Sequence, residues 1–421
     1  MNYNRIELAD NIGFSSVIDE KFKTSSFSIS FITSLSDDSA AANAIGIGAL
    51  VVSNSNLPSL AQMNEKCSFL YGASLTSYTR KRGDLQILGI TASWINNKYA
   101  FDGENVEHEM LSIVRDCIFS PYAPNGAFSD EAFNITKKDT IDIIDGAINN
   151  KRGYAFTRAV ALAFRDEPAA NLSYGSHDKA EAVTAASAFM AYQELLRSAQ
   201  IEIFYISSAP NPNAADLFRN CFASIDRAPA PVSFRTPSPL KNTPESRSEI
   251  FNVKQCKVVL TYKSTSDDLF ALALMSMILG DTPFSKLFLN VREKLSLCYY
   301  CSSSFLRTKN AVIVDCGVEK ENISKAVEEI DRQINEIRNG NISDDELENT
   351  LRLIDDSLES VGDTPSSYSS WFFERFCDNE SVSVSDYFNN YRCVTKDRIA
   401  EAARSLSLDS SYYMLSKEVS E

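Results

Sequence analysis

Residues suited to acid–base or metal chemistry are sparse in this sequence, which contains only two histidines, His108 and His177. His108 lies between Glu107 and Glu109, but adjacent side chains on a helix diverge by about 100° and cannot converge on one metal ion. His177 follows Tyr174-Gly175-Ser176 in a turn-like segment before a helix. We therefore interpret His108 as a solvated surface residue and His177 as a loop residue.

The nine cysteines are scattered singly along the chain, apart from the pair Cys298 and Cys301. An odd number at wide spacing predicts reduced, buried thiols rather than a disulfide framework. Cys-x-x-Cys also occurs in redox sites and as half of a zinc site. Here it falls in a strand-like run, where residues three apart face opposite sides. We expect both thiols to be structural.

The strands and helices predicted from the sequence occur twice in the same order. The first half has a strand with alternating Phe27, Ile29 and Phe31, a helix over 40–52, a second helix ending near Tyr71, and strands over 74–78 and 85–91. The second half repeats this order with a strand over 258–262, helices over 268–279 and 284–295, and strands over 299–305 and 312–318.

Each half continues with amphipathic helices. One apolar stripe is Val106, Met110, Val114, Cys117 and Ile118, and its counterpart is Ile323, Val327, Ile330, Ile334 and Ile337. The next helix opens with SDE at 129–131 and with SDDE at 343–346, where Ser343 and Glu346 form a capping box. A repeat at an offset of roughly 215 residues indicates a duplicated domain.

The sequence therefore predicts an α+β protein of two homologous domains, each with an antiparallel-rich sheet packed on helices. The expected N-terminal domain is 1–226 and the C-terminal domain is 249–421. Between them, residues 227–248 contain five prolines, which remove backbone donors and fix φ, so this segment is expected to be a linker.

The composition and net charge of the chain indicate which classes of partner to expect. Apolar residues make up 44% and charged residues 23%, as in soluble globular domains. The net charge of −15, without a basic run, repels phosphate backbones, so no nucleic-acid partner is expected. No apolar segment has the length of a membrane helix, and the amino terminus has no signal-peptide pattern. We expect no membrane association and a cytoplasmic location.

Residues 279–299 read LGDTPFSKLFLNVREKLSLCY, and residues 342–347 read ISDDEL. This stretch resembles the carboxy-terminal signature of the insulinase, pitrilysin and mitochondrial-processing-peptidase family, with Arg292 and Tyr299 on the positions of its Arg and Tyr. The resemblance extends over nearly the whole chain, supported in the first half by LYGASL at 70–75 and by Tyr174-Gly175. It implies a clamshell of two half-domains.

Active members of that family bind zinc on a first-half helix reading His-x-x-Glu-His, where two imidazoles four apart share one helix face and the Glu acts as general base. The equivalent helix here reads AIGIGALVV over 44–52, which puts Gly46, Ala49 and Leu50 near the ligand and base positions. The downstream helix keeps carboxylates such as Asp142 and Asp145, interpreted as an ordinary polar face. We expect this chain to bind no cofactor.

By resemblance, Arg292 and Tyr299 form a substrate clamp that grips peptide carbonyls and supports the oxyanion at a facing zinc site. The alternative is that Arg292 continues a charged helix face and Tyr299 only fills a strand position. Because the signature survives without the metal motif, we favour the clamp. The LYGA and Lys81-Arg82-Gly83 runs also resemble the motif-lacking chains of two-subunit bacterial members.

The first hypothesis is therefore a non-catalytic subunit of a heteromeric metallopeptidase. A homologous partner would carry the zinc, peptides would be the substrate, and the isolated chain could form a homodimer. The alternative is a structural or peptide-binding clamshell without a role in proteolysis. An independently active enzyme with unusual ligands is a third and less favoured reading.

Overall fold

The computed structural model describes residues 1–417. Its strands are β1 (Asn2–Ala9), β2 (Ile12–Ile18), β3 (Thr24–Ser34), β4 (Ser74–Arg82), β5 (Leu85–Ile95), β6 (Gln200–Ser207), β7 (Glu245–Phe251), β8 (Cys256–Ser264), β9 (Cys298–Leu306), β10 (Ala311–Val318) and β11 (Leu406–Ser416).

The α-helices are α1 (Asp37–Leu50), α2 (Leu60–Phe69), α3 (Val106–Phe119), α4 (Asp130–Gly146), α5 (Lys151–Ala163), α6 (His177–Ala182), α7 (Ala185–Ser198), α8 (Pro212–Phe222), α9 (Leu269–Gly280), α10 (Ile323–Arg338), α11 (Asp344–Glu359), α12 (Pro365–Asp378), α13 (Val384–Arg392) and α14 (Lys396–Arg404). Phe288–Lys294 form a π-helix. None of the helices described between residues 1 and 417 combines the length and apolar character needed to cross a bilayer.

Two compact units divide the chain. The first unit contains Met1–Asp145, Asn171–Ser233 and Val361–Cys377. The second unit contains Gly146–Ala170, Phe234–Ser360 and the chain from Asp378 onward. Each unit therefore takes one segment from the opposite half of the sequence, whereas the predicted boundaries of 1–226 and 249–421 treat each half as continuous.

The first unit is built on a six-stranded sheet in the order β1-β2-β6-β3-β5-β4. Only β2 and β6 run parallel, and the other neighbours are antiparallel. β3 alternates as its sequence predicts, because Phe27, Ile29 and Phe31 are fully buried against the helices. α12 lies on the opposite face, where Phe373 packs against Phe204.

The second unit is built on a five-stranded sheet in the order β7-β11-β8-β10-β9, in which only β7 and β11 run parallel. The order β6-β3-β5-β4 of the first sheet is repeated as β11-β8-β10-β9. The predicted fold class, α+β with a duplicated antiparallel-rich sheet, is confirmed. β7 begins at Glu245, so the last residues of the predicted linker form an edge strand. An edge strand tolerates neighbouring prolines, because one side of it needs no backbone donors for pairing.

α5 belongs to the second unit although it lies in the first half of the sequence. Its small buried residues Ala155 and Ala159 let the helix approach the sheet closely, and its core includes Val259, Ile313 and Met414. α12 makes the reverse exchange into the first unit. Thus α5, which follows α4, and α12, which follows α11, each pack in the unit whose sheet is built mainly from the opposite half of the sequence.

Candidate functional site

Arg292 and Tyr299 line the same surface cavity in the second unit, with a volume of about 380 Å³. The cavity lies where the π-helix meets β9. Its lining is completed by Glu293, Ser296, Leu297, Cys298, Glu319 and Asn322. The structure therefore brings the two residues of the sequence signature to one site, although they are seven positions apart.

Arg292 is carried by the π-helix, where the sequence predicts an ordinary helix. The amide of Leu295 donates to the carbonyl of Asn290, five residues earlier. Asn290 stabilises this wider turn, because its side chain donates to the Lys286 carbonyl at 2.9 Å and to Gln333 of α10 at 3.2 Å. Such π-turns are rare and concentrate at functional sites.

The guanidinium of Arg292 lies over the Phe288 ring, with 4.7 Å between its central carbon and the ring centroid. It also lies 3.6 Å from the Glu293 carboxylate. The side chain keeps 43% of its surface exposed. One face of the Arg292 guanidinium is therefore supported by an aromatic ring, while its N–H donors remain available to a ligand.

The π-helix ends at Lys294, and Ser296, two residues further on, has a φ of +50°. In this left-handed conformation the Ser296 amide donates to the Arg292 carbonyl and the Leu297 amide donates to the Val291 carbonyl. Left-handed residues commonly close helices in this way, although glycine is the usual choice. The turn directs the chain from Arg292 into β9 within a few residues.

Tyr299 is the extra residue of a β-bulge. Cys298 pairs with Val318 and Tyr300 pairs with Gly317, so no residue of β10 stands opposite Tyr299. The Tyr299 side chain is 69% exposed. Bulges re-aim side chains and are frequent beside active sites, and this one presents a tyrosine hydroxyl at the cavity.

Tyr300 fixes the bulge from the other side of the strand. Its ring lies so close to Gly317 that a Cβ there would be 2.4 Å from a ring carbon. The guanidinium of Arg152, on α5, stacks on the same ring at 4.2 Å. Because Tyr300 is anchored, the preceding Tyr299 has a defined direction.

The cavity combines hydrogen-bond donors and acceptors. Arg292 and Tyr299 supply donors, Glu293 and Glu319 supply acceptors, and Asn322 can supply both. An extended peptide backbone presents alternating carbonyl and amide groups. The arrangement can therefore hold a peptide carbonyl through Arg292 and Tyr299, but it contains no base adjacent to a nucleophile.

The cysteines of this region differ from the sequence expectation. The bulge turns Cys298 to the same side of the strand as Cys301, which stands opposite Cys316 of β10. The expectation that Cys298 and Cys301 face opposite sides is thus wrong, because it assumed a regular strand. Thiol hydrogen bonds from Cys301 and Cys316 lower the pKa of Cys298. The partners' pKa values are raised correspondingly.

The zinc-motif position of the first unit offers no ligand. Ala49 and Leu50 are fully buried, and α1 packs tightly at Gly46, where a Cβ would lie 2.7 Å from the Ala188 carbonyl oxygen of α7. A histidine at that position would collide with α7. Between residues 1 and 417, no three His, Cys, Asp or Glu side chains are grouped so as to hold a metal ion. This chain's residues do not fit the family's zinc.

The remaining candidates behave as polar surface. His108 is exposed on α3, as predicted. His177 is the first residue of α6, and its Nδ1 lies 2.8 Å from an Asp145 oxygen. This hydrogen bond raises the pKa of His177. Asp142 is exposed on α4, whose buried positions are Ala132, Thr136 and Thr140.

A second cavity, in the first unit, has a volume of about 430 Å³ and was not predicted. It is lined mainly by hydroxyl groups from β3, β4, β5 and α12, with Arg80 at its side. The sequence signal is the serine at every second position of β3, Ser26, Ser28 and Ser30, between the buried aromatic and aliphatic residues. This alternation indicates the polar face of β3 as directly as it indicates the face in the core.

Comparisons with known proteins show what this chain is similar to. Residues 182–354, which include Arg292 and Tyr299, match the family model described as the peptidase M16 inactive domain. A curated relative from Bacillus subtilis (strain 168), named "Probable inactive metalloprotease YmfF", is 24% identical over 403 residues, covering 95% of this chain and 94% of that protein.

Solved structures share the whole fold. A conserved protein from Enterococcus faecalis V583 superposes with a TM-score of 0.91 at 24% identity, covering 100% of both chains. A peptidase M16 inactive domain from Pseudomonas fluorescens superposes with a TM-score of 0.81 at 14% identity, again covering 100% of both chains.

Proposed function

We propose, on the premise that this chain is a non-catalytic homologue of the insulinase family of peptidases, that it is the complementing subunit of a two-chain zinc peptidase. Its contribution is the pair Arg292 and Tyr299. The partner is a homologous chain that carries His-x-x-Glu-His, and the substrate is a peptide or an unfolded protein segment.

One observation carries this proposal. Arg292 and Tyr299 share a cavity in which a π-helix and a β-bulge, two costly local irregularities, hold them in place. Irregular backbone persists where the surrounding structure maintains it, and it concentrates at functional sites. By contrast, α1 stands where the resemblance expects the zinc-binding helix, and it packs so tightly at Gly46 that no ligand side chain would fit there. Retention of one half of a site and loss of the other is the pattern expected of a chain that complements a partner.

In this proposal Arg292 and the Tyr299 hydroxyl donate to a carbonyl oxygen of the bound peptide. Their donors gain strength as negative charge develops on that oxygen, because both groups are fixed before the substrate binds. The chain itself holds no cofactor, and the zinc belongs to the partner. We also propose that the complex is cytoplasmic, since all nine cysteines are free thiols, as in a reducing compartment. Without the partner, a homodimer of this chain is the other assembly that the proposal allows.

The alternative is a structural or peptide-binding protein without a role in proteolysis. The same cavity supports it to the extent that Arg292 and Tyr299 can hold a peptide without any catalysis. The two functions differ in the partner: only the complementing subunit needs a zinc-bearing chain. The association experiment below therefore separates them.

The test is to purify the chain alone, a His-x-x-Glu-His homologue from the same genome alone, and the two together. Zinc content, size of the complex and cleavage of an unstructured peptide are then measured for each sample. We expect the mixture to form a heterodimer with one zinc ion and to cleave the peptide at least tenfold faster than the partner alone. Failure to associate, or an equal rate for the partner alone, would contradict the proposal.

A further inference from the structure

Three thiols meet on one side of the β9–β10 hairpin. Cys301 and Cys316 stand directly opposite each other in the antiparallel register, and Cys298 stands opposite Val318, two residues from Cys316. Cross-strand pairs of this kind have Cα atoms about 4.5–5.5 Å apart. This separation lies within the range that a disulfide requires.

The bulge also brings Cys298 close to Cys301. Three residue steps along β9, from Cys298 to Cys301, face only two steps along β10, from Val318 to Cys316. Two strand steps span about 6.6–6.8 Å. The Cα atoms of Cys298 and Cys301 are thereby drawn to roughly the upper limit for a disulfide.

Access to the three thiols is unequal. Cys316 is fully buried and Cys301 retains 4% of its surface, whereas Cys298 retains 9% and forms part of the cavity lining. Arg292 lines the same cavity, and its positive charge favours the thiolate form of Cys298. A small reagent that enters the cavity thus meets the Cys298 thiol, whose neighbours Cys301 and Cys316 are buried.

We propose that Cys298 is an oxidisable thiol site for hydroperoxides, with the buried neighbours Cys301 and Cys316 as its resolving thiols. Nothing in the proposed peptidase role requires this chemistry, and it applies to the chain by itself.

The reaction has two balanced steps. The Cys298 thiolate attacks the distal oxygen of a hydroperoxide, an S–O bond forms, the O–O bond breaks, and the alkoxide or hydroxide leaving group takes up a proton. The Cys298 sulfenic acid is then attacked by the sulfur of a neighbouring thiol. The S–S bond forms, the S–O bond breaks, and water leaves with the neighbour's proton. The hydroperoxide is reduced and two thiols are oxidised.

The first measurement uses the unmodified full chain and the rate of alkylation by iodoacetamide at pH 6. The solvent-exposed Cys393 is the internal reference. A thiol of ordinary pKa is mostly protonated at this pH and reacts slowly. We expect Cys298 to be alkylated at least tenfold faster than Cys393 despite its lower exposure. An equal or slower rate for Cys298 would overturn the proposal.

The second measurement adds one equivalent of hydrogen peroxide and maps the products after trypsin. Cys298 and Cys301 fall in the peptide 295–307, and Cys316 falls in the peptide 310–320. A loss of two hydrogens within the first peptide, or a covalent link between the two peptides, is the expected result. Oxidation at Cys393 while all three thiols stay reduced would contradict the proposal.

Variants then identify the roles of the thiols. Cys298→Ala should abolish disulfide formation, whereas the double variant Cys301→Ala/Cys316→Ala should accumulate a sulfenic acid at Cys298 that a cyclic 1,3-diketone traps. Cys393→Ala is the matched control and should leave the products unchanged. A disulfide between Cys301 and Cys316 that still forms at the original rate in Cys298→Ala would refute the role of Cys298 as the attacking thiol.

Discussion

Lys263, in β8, is almost fully buried, and so is its ion-pair partner Asp409, 2.9 Å away in β11. The Lys263 ammonium also donates to the carbonyl oxygens of Ala163, at the end of α5, and Pro239, each at 3.0 Å. It therefore ties three separate chain segments of the second unit together. We predict that Lys263→Met, which keeps the unbranched shape of the side chain at one atom shorter but removes its charge, strongly destabilises this unit.

The magnitude follows from what the substitution leaves behind. Asp409 keeps two longer contacts with the partly exposed Lys241, one to its ammonium and one to its backbone amide, each of 3.4 Å. Two buried carbonyl groups lose their donor. Removal of one partner from a buried ion pair costs about 3–5 kcal/mol. For a unit of about 200 residues, each kcal/mol lowers the melting temperature by about 2–4 °C. The expected decrease is therefore about 6–20 °C.

The assay is thermal unfolding followed by circular dichroism, with Lys325→Met on the exposed surface of α10 as the control. The control should change stability by less than about 0.5 kcal/mol. The double variant Lys263→Met/Asp409→Leu should recover much of the loss, because no buried charge remains unpaired. A loss below about 1 kcal/mol for Lys263→Met would refute the reasoning.

Four further substitutions test three local features. Ser296→Gly should raise the free energy of unfolding by up to about 1 kcal/mol, because glycine adopts the positive φ of this helix end without strain; chemical denaturation measures it. Ser343→Ala should lower it by about 1 kcal/mol in the same assay, because the hydroxyl accepts from the Glu346 amide in the capping box. His177→Ala should lower the melting temperature at pH 5 but not at pH 9. The hydrogen bond to Asp145 raises the pKa of His177, so its stabilisation is complete below about pH 6.5 and is lost as the pH rises through the raised pKa. Asp145→Asn should show the same pH dependence.

The duplicated fold could be predicted from sequence because its signals are local. Alternating Phe27, Ile29 and Phe31 predict a strand, and the Ser343 capping box predicts the start of α11, without knowledge of distant contacts. The exchange of α5 and α12 could not be predicted in this way. An apolar helix face indicates that the helix must be covered, but it does not indicate which of two similar sheets covers it.

The candidate site, too, could be predicted from the sequence only in part. The absence of zinc donors near Gly46, Ala49 and Leu50 can be read from the sequence, because alanine, glycine and leucine have no ligand atoms. The tight contact with Ala188 could only come from the structure. The thiol cluster was missed because one extra residue, Tyr299, reverses the facing of Cys298, and the sequence pattern gives no sign of such a bulge.

The central claim is that Arg292 and Tyr299 act on a peptide held at a partner's zinc site. The most direct test measures peptide cleavage by the reconstituted complex with Arg292→Ala, Tyr299→Phe and the double variant. Lys294→Ala, from the same exposed π-helix, and Tyr99→Phe are the matched controls. We predict that each test variant lowers kcat about 10²–10³-fold, as expected for loss of an oxyanion donor, while zinc content, association and the controls stay unchanged. Undiminished cleavage by the double variant would contradict the claim.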